Sequence, residues 1–184
     1  MNGLSRRELI AALAAASAAS AMISRSAFAT NDDSRGRPRR ANPVFAHGVA
    51  SGDSLQDRVI LWTRISPARF EDEVEVRWRV ARDPRMRREV CKGSFKTDIR
   101  RDFTVKVDVQ DLEPGSTYYY RFESRGARSP VGRTKTLAQG RVEAARIAFA
   151  SCSNFPFGYF NAYARIAERA DLDLVLHLGN YIYE

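Results

Sequence analysis

The chain has 184 residues, a formal net charge of +8 at pH 7, and a composition that is 44% apolar and 10% aromatic. The composition excludes a disordered protein. The length excludes a complete large enzyme, since it accommodates one ordinary domain and a piece of another. The basic residues are spread along the chain rather than gathered on one helix. The positive charge therefore does not predict nucleic-acid binding.

Residues 1–29 have the layout of a signal peptide. The paired Arg6-Arg7 precedes an uncharged run from Leu9 to Ile23, and Ala27-Phe28-Ala29 follows as a small-x-small cleavage site. The arginine pair is typical of the twin-arginine type, which predicts export to the periplasm or the exterior and makes the twin-arginine translocase a partner. An ordinary secretory signal is the alternative. A permanent membrane anchor is not expected, because the uncharged run is shorter than the roughly 20 residues that span a bilayer.

Residues 30–42 are predicted to form a flexible basic arm, and residues 43–137 an antiparallel β-sandwich. The arm lacks apolar periodicity. In the sandwich region, apolar residues alternate with polar ones in short segments, which indicates half-buried strands. The alternating segments are Val74–Val80, Phe103–Val109 and Tyr118–Phe122, and Val59–Thr63 is a short apolar run. Turn signals such as Cys91-Lys-Gly93 separate them at the spacing of a sandwich.

Two segments of the sandwich region have a more specific interpretation. Leu112-Glu-Pro-Gly-Ser-Thr-Tyr118 looks like the tyrosine corner of fibronectin-type-III-like domains, in which the phenol hydroxyl bonds to the preceding turn and stabilises it. Phe45-Ala-His-Gly-Val-Ala-Ser-Gly-Asp53 is rich in small residues, so it is a possible binding loop in which His47 and Asp53 touch a metal or a phosphate. No second ligand lies at a metal-motif spacing from His47, so we expect a packed or capping role for it.

Residues 138–145 read as a linker, and residues 146–184 as one β-α-β unit. Arg146–Ala150 is a short apolar strand, Tyr159–Ala170 has helical apolar spacing, and Asp171–Gly179 is nearly continuously apolar, as in a parallel strand. Such a unit leaves sheet edges and apolar surface uncovered, so we expect it to be loosely held. The predicted fold class is mainly β plus a partial α/β unit: a fibronectin-III-like antiparallel β-sandwich followed by a β-α-β unit.

Candidate metal-binding side chains follow the ends of the two strands of this unit. Cys152 comes after the first strand, and Asn180 comes after the second. The carboxyl ends of parallel strands are where open α/β sheets place their ligands. Asn180 stands where such a site would want a carboxylate. A buried core thiol, or a disulfide between Cys152 and Cys91 in an oxidising compartment, is the alternative for Cys152.

Five segments together carry a family resemblance. They are Phe45–Asp53, Val59–Arg64, Phe149–Cys152, Gly158–Tyr163 and His177–Glu184. With the twin-arginine signal, they make the chain closely similar to the PhoD-type alkaline phosphatase/phosphodiesterases. The resemblance implies an exported enzyme that hydrolyses phosphate esters at an iron(III)–calcium centre. It also implies that residues 146–184 are the incomplete start of a calcineurin-like metallophosphatase domain.

The resemblance assigns roles to three candidate ligands. It makes the Cys152 thiolate and the Tyr183 phenolate ligands of Fe³⁺, and anionic sulfur and oxygen suit a trivalent transition metal. Asn180 replaces the Asp that bridges Fe³⁺ and Ca²⁺ in the family. An amide offers one carbonyl oxygen and no charge, so metal binding is expected to be weak. His177 reads as a packed residue rather than a ligand.

These features predict an incomplete chain, without confident catalytic residues, that binds neither ion by itself and is inactive. Small-molecule phosphate esters are the expected partners of the family, and the protein is expected to be a monomer without nucleic-acid partners. The alternative is an exported β-sandwich that serves as a non-catalytic binding or structural module, with residues 146–184 as a remnant tail.

Overall fold

The computed structural model describes residues 43–67, 73–154 and 160–180. The signal peptide, the basic arm and Tyr183 therefore lie outside the described residues, and what was expected of them stays a prediction. Residues 41–184 belong to one compact unit.

Two antiparallel sheets make up the larger part of the described residues. One sheet consists of β1 (Val49–Gly52), β2 (Val59–Arg64) and β5 (Thr104–Val109), in that spatial order. The other consists of β4 (Glu89–Thr97), β3 (Val74–Ala81) and β6 (Thr117–Ser124), with β7 (Ala127–Arg128) and β8 (Gly132–Lys135) both paired to β6. Short 3-10 turns lie at Pro43–Phe45 and Ile99–Arg101. The mainly β architecture predicted from the alternation is confirmed.

The core lies between the two sheets, and the alternating pattern explains it. Every second residue of β2, β5 and β6 is buried, while the residues between them are partly or fully exposed. Leu61, Val105 and Phe122 are each 0% exposed. Burying one such side chain contributes about 1.5–3 kcal/mol, so the two sheets stabilise each other through their inner faces.

The tyrosine corner is present as predicted. The backbone N–H of Glu113 donates to the Tyr118 hydroxyl at 2.9 Å, and the Tyr118 side chain is fully buried. The guanidinium of Arg82 lies 4.6 Å from the centre of the Tyr118 ring, a distance at which a cation is attracted to the ring face. The bond fixes the chain where it enters β6.

The prediction of a turn at Cys91–Gly93 is wrong, because these residues lie in the middle of β4. Gly93 is the cross-strand partner of Trp78 on β3. A Cβ atom added at Gly93 would lie 2.6 Å from Cζ2 of Trp78, closer than two carbon atoms can approach. The glycine therefore makes room for the indole ring instead of turning the chain.

The β-α-β unit is confirmed, with shorter elements than the apolar runs suggested. It consists of β9 (Ile147–Ala150), α1 (Asn161–Glu168) and β10 (Leu174–His177), and β9 and β10 pair in parallel. Strand β10 begins at Leu174 and not at Asp171, because Asp173 is engaged by its side chain. The Asp173 carboxylate accepts a hydrogen bond from the N–H of Arg146 at 2.8 Å. No helix among the described residues is long and apolar enough to cross a membrane.

One face of the β9–β10 pair is uncovered. Phe149 and Leu174 are 61% and 47% exposed, and period-two alternation places them on the same face. The opposite face carries His177, which contacts Tyr163 of α1. The helix covers the His177 end of that face only, because Val175 on the same face is 50% exposed, which agrees with the exposed apolar surface expected for such a unit.

Candidate metal centre

The carboxyl ends of β9 and β10 are held side by side by backbone hydrogen bonds that continue beyond the strands. The N–H of Leu178 donates to the carbonyl of Ala150 at 2.8 Å, that of Cys152 to Gly179 at 3.2 Å, and that of Ser153 to Asn180 at 2.9 Å. Each bond crosses from one chain segment to the other. The two turns that follow the strands are thus a fixed pair, as expected for the ligand-binding edge of a parallel sheet.

Cys152 and Asn180 are brought together at this edge. The Asn180 amide nitrogen Nδ2 donates to Sγ of Cys152 at 3.6 Å, and both residues are exposed to solvent. Both also have a left-handed backbone, with φ of 60° for Cys152 and 52° for Asn180. A non-glycine residue in this conformation costs about 1–2 kcal/mol, and such strain clusters at functional sites. Two of the three predicted ligands therefore meet in the structure.

The contact explains how Asn180 differs from the expected carboxylate. An amide N–H can approach the Cys152 sulfur directly and stabilise it. A carboxylate in the same place would face a thiolate with a second negative charge, which is favourable only when a cation lies between them. Asn180 therefore places a neutral donor, and no second negative charge, against the Cys152 sulfur.

The described residues supply only part of a metal shell. Cys152 offers a thiolate, which fits iron, and Asn180 offers one neutral oxygen, which does not fit a bridging role between two ions. Within the ranges that the structure describes, no three His, Cys, Asp or Glu side chains are close enough together to hold a metal ion. Tyr183, the third predicted ligand, lies outside those ranges.

The disulfide considered for Cys152 is not formed. Cys91 and Cys152, the two cysteines of the chain, are not joined to each other. Cys91 is half-buried on β4 and packs against the core of the sandwich, whereas Cys152 is exposed. Burial, followed by the charge of Glu89, raises the pKa of the Cys91 thiol and keeps it protonated. Cys91 is thus a core thiol.

A second group of polar side chains lies next to the Cys152–Asn180 contact, and the sequence patterns did not predict it. The Tyr163 hydroxyl hydrogen-bonds to Nε2 of His177 at 2.8 Å and, in a shorter contact, to Oγ of Ser153. The Tyr163 and His177 rings are stacked, with centroids 6.1 Å apart and an interplanar angle of 19°. The packed role expected of His177 is confirmed. The helical spacing of Tyr159–Ala170 predicts only an apolar role for Tyr163, and the phenol hydroxyl is the signal that this pattern misses.

His47 belongs to the sandwich, is exposed, and hydrogen-bonds to a neighbouring side chain. Its Nε2 lies 2.7 Å from Nη1 of Arg64, and Arg64 also forms a salt bridge to Asp102 at 2.7 Å. The hydrogen bond from Arg64 holds the pKa of Asp102 below its usual range. The backbone near His47 is fixed as well, because Oγ1 of Thr63 donates to the carbonyl of Gly48 at 2.8 Å. This agrees with the structural role favoured for the loop.

Among the described residues, polar side chains join the sandwich to the β-α-β unit at the amino edge of the β9–β10 pair, opposite to Cys152. Arg133 of β8 donates to the carbonyl oxygens of Ala170 at 2.6 Å and Arg169 at 2.8 Å, which follow the end of α1. A cation is favourable there because carbonyl groups concentrate negative charge at a helix C-terminus. Lys135 pairs with Asp173. The hydrogen bond from Arg169 lowers the pKa of Asp171 to about 2. These charges serve the interface rather than a ligand.

Comparison with known proteins assigns both parts of the chain. Residues 29–138 match the N-terminal domain of PhoD-like phosphatases, and residues 147–184 match the PhoD-like phosphatase domain. Alkaline phosphatase D of Bacillus subtilis (strain 168) is 44% identical over 155 residues, which cover 80% of this chain and 26% of that protein. The solved structure of PhoD superimposes with a TM-score of 0.72 at 42% identity, covering 80% of this chain and 30% of that one. The chain thus spans less than a third of the length of these relatives. It belongs to the PhoD-like phosphatase family.

Proposed function

We propose that this protein is an exported phosphate-ester hydrolase of the alkaline phosphatase/phosphodiesterase type, and that Cys152 is one of its metal ligands. The observation that carries the proposal is the meeting of Cys152 and Asn180 at the carboxyl edge of β9 and β10. Family membership supports the reaction class. The chain covers 26% of its curated relative, so the activity is proposed for a protein with the rest of that domain.

The proposed metal shell uses Cys152 and Tyr183 as anionic ligands of Fe³⁺, with Asn180 giving at most one amide oxygen. Ca²⁺ would need oxygen ligands that the described residues do not gather. When bound, such a metal pair would supply a hydroxide nucleophile and neutralise charge on the phosphoryl oxygens. This chain's own contribution is the rigid pair of turns that holds the Cys152 sulfur at the sheet edge.

We further propose that these 184 residues are inactive by themselves. Asn180 donates a hydrogen bond to the Cys152 sulfur. The negatively charged Asp of the family would instead repel a thiolate unless a cation lay between them. The site therefore lacks the charge that attracts the two ions. Export through the twin-arginine route is proposed from Arg6-Arg7, and its use for folded, metal-loaded proteins would suit this chemistry.

A chimera tests the proposed function. Residues 30–184 would be joined to the part of B. subtilis alkaline phosphatase D that this chain does not match, with either Asn180 or Asn180→Asp, and loaded with Fe³⁺ and Ca²⁺. We expect Asn180→Asp to raise hydrolysis of p-nitrophenyl phosphate or its bis ester by at least about 100-fold, because it restores a bridging ligand. Adding Cys152→Ala should abolish the gain.

The unfused chain is the matched control, and it should give no turnover above a metal blank. Turnover by the unfused chain that disappears with Cys152→Ala would contradict the proposed inactivity. A folded Asn180→Asp chimera without activity would overturn the proposed function. It would instead favour a non-catalytic sandwich module.

A further inference from the structure

Tyr163 connects the three elements that meet at the candidate metal centre. Its hydroxyl bonds to Ser153, which directly follows Cys152, and to His177, the last residue of β10. Tyr163 itself lies on α1. Ser153 is 7% exposed and is the only buried residue among those described after Arg146. One phenol oxygen therefore joins the helix to both strand ends.

The direction of these hydrogen bonds follows from the backbone. Nδ1 of His177 lies 3.3 Å from the N–H of Gly179 and accepts from it, so the ring proton belongs on Nε2. Nε2–H then donates to the Tyr163 oxygen, and the Tyr163 hydroxyl donates to Oγ of Ser153. The chain of donors runs from Gly179 to Ser153. The phenol thus accepts one hydrogen bond and donates one, so both bonds depend on the same oxygen atom.

The two ends of this chain of hydrogen bonds flank the candidate ligands. Ser153 comes after Cys152, and Gly179 comes before Asn180. Between them runs the backbone bond from Ser153 N–H to the Asn180 carbonyl at 2.9 Å. The side-chain bonds thus support the same contact from the helix side. These hydrogen bonds help to offset the cost of the left-handed backbone conformations of Cys152 and Asn180.

We propose that Tyr163 is a positioning residue that sets the distance between the Cys152 and Asn180 turns, and hence the geometry offered to a metal. The positioning itself requires only the contacts of this chain, while its use in metal binding rests on the proposed function. Tyr163 acts through Ser153 and His177 and does not touch the ligands' side chains. Removing its oxygen should loosen the turns while leaving the stacked ring in place.

The test compares Tyr163→Phe with Tyr119→Phe in the full chain. Tyr119 lies on β6 and is half-buried, and its hydroxyl has no hydrogen bond to the described residues, so it is a matched control. We expect the amides of Cys152 and Ser153 to exchange with solvent about ten-fold faster in Tyr163→Phe, the factor that one net hydrogen bond supports. Tyr119→Phe should leave these two amides unchanged.

A spectroscopic measurement distinguishes the loss of the Tyr163 hydrogen bonds from a general loss of stability of the β-α-β unit. The ¹⁵N shifts of His177 should report a proton on Nε2 in the parent chain and a mixture of tautomers in Tyr163→Phe. Co²⁺ added to the Asn180→Asp chimera should give a thiolate charge-transfer band, and adding Tyr163→Phe to the chimera should weaken the apparent affinity about ten-fold.

The outcomes of the two experiments are distinguishable. An unchanged tautomer with unchanged exchange at Cys152 and Ser153 would overturn the positioning role. Absence of any Co²⁺ band in the folded Asn180→Asp chimera would contradict the ligand role of Cys152, and the exchange and tautomer data would still decide the role of Tyr163.

Discussion

The sandwich and the β-α-β unit differ in how completely they bury their apolar side chains. In the sandwich, two sheets cover each other's inner faces, and residues such as Leu61 and Phe122 are 0% exposed. In the other unit, two short strands have one short helix on one face, and Phe149 is 61% exposed. Most of the stability should therefore come from the sandwich. The candidate metal ligands lie on the β-α-β unit, which buries fewer of its apolar side chains.

The largest contrast should appear between Phe122→Ala and Phe149→Ala. The first removes a ring from a filled core, and we expect it to reduce the free energy of unfolding by about 3–5 kcal/mol. The second truncates an exposed side chain, and surface changes of this kind are expected to stay within about 0.5 kcal/mol. Urea unfolding followed by tryptophan fluorescence measures both. A comparable loss for Phe149→Ala would show that this face is covered in solution.

A smaller effect is expected inside the sandwich, where Gly93→Ala can be compared with Gly52→Ala. A Cβ at position 93 would clash with the Trp78 ring, and overpacking of this kind costs about 1–3 kcal/mol. A Cβ at position 52 meets nothing within 4 Å, so the same substitution there serves as the control. The difference between the two unfolding midpoints at equal m-value is the measurement. Equal midpoints would mean that Trp78 moves aside freely.

The smallest effect concerns the acid sensitivity of the junction. The pKa of Asp173 is lowered, chiefly by the N–H of Arg146 and then by Lys135, and that of Asp171 is lowered to about 2. Because the folded values lie below the unfolded value of about 3.9, their stabilisation is present above that pH and is lost as pH falls towards 2. Amide exchange in β9 and β10, corrected for intrinsic rates, should therefore rise over this range while β2 stays protected.

Asp173→Asn is the control for the acid effect. It should abolish most of the change in β9 and β10 and leave β2 as it was. An unaltered pH profile in the variant would show that the junction does not depend on this carboxylate.

Sequence patterns predicted the strands whose apolar residues show on their own which face is buried. They failed where a residue's role depends on its cross-strand partner. Val74–Val80 alternates cleanly, and Val59–Thr63 is a short apolar run, and both were found. β4 was missed because Gly93 reads as a turn until its partner Trp78 is known. The meeting of Cys152 and Asn180 was predictable, since both follow parallel strands. The bonds of Tyr163 were not, because they depend on which sheet face the helix covers.

The hydrogen bond from Asn180 to Cys152 has a practical consequence for handling the protein. The Asn180 amide contacts the Cys152 sulfur with a donor instead of a second acidic group, so we expect the fold around Cys152 to tolerate chelating buffers better than an Asn180→Asp variant does. In the variant the same edge would hold two acidic groups, and we expect its stability to depend more on the metal content of the medium. The amide of Asn180 is thus expected to lower the sensitivity of this edge to metal supply.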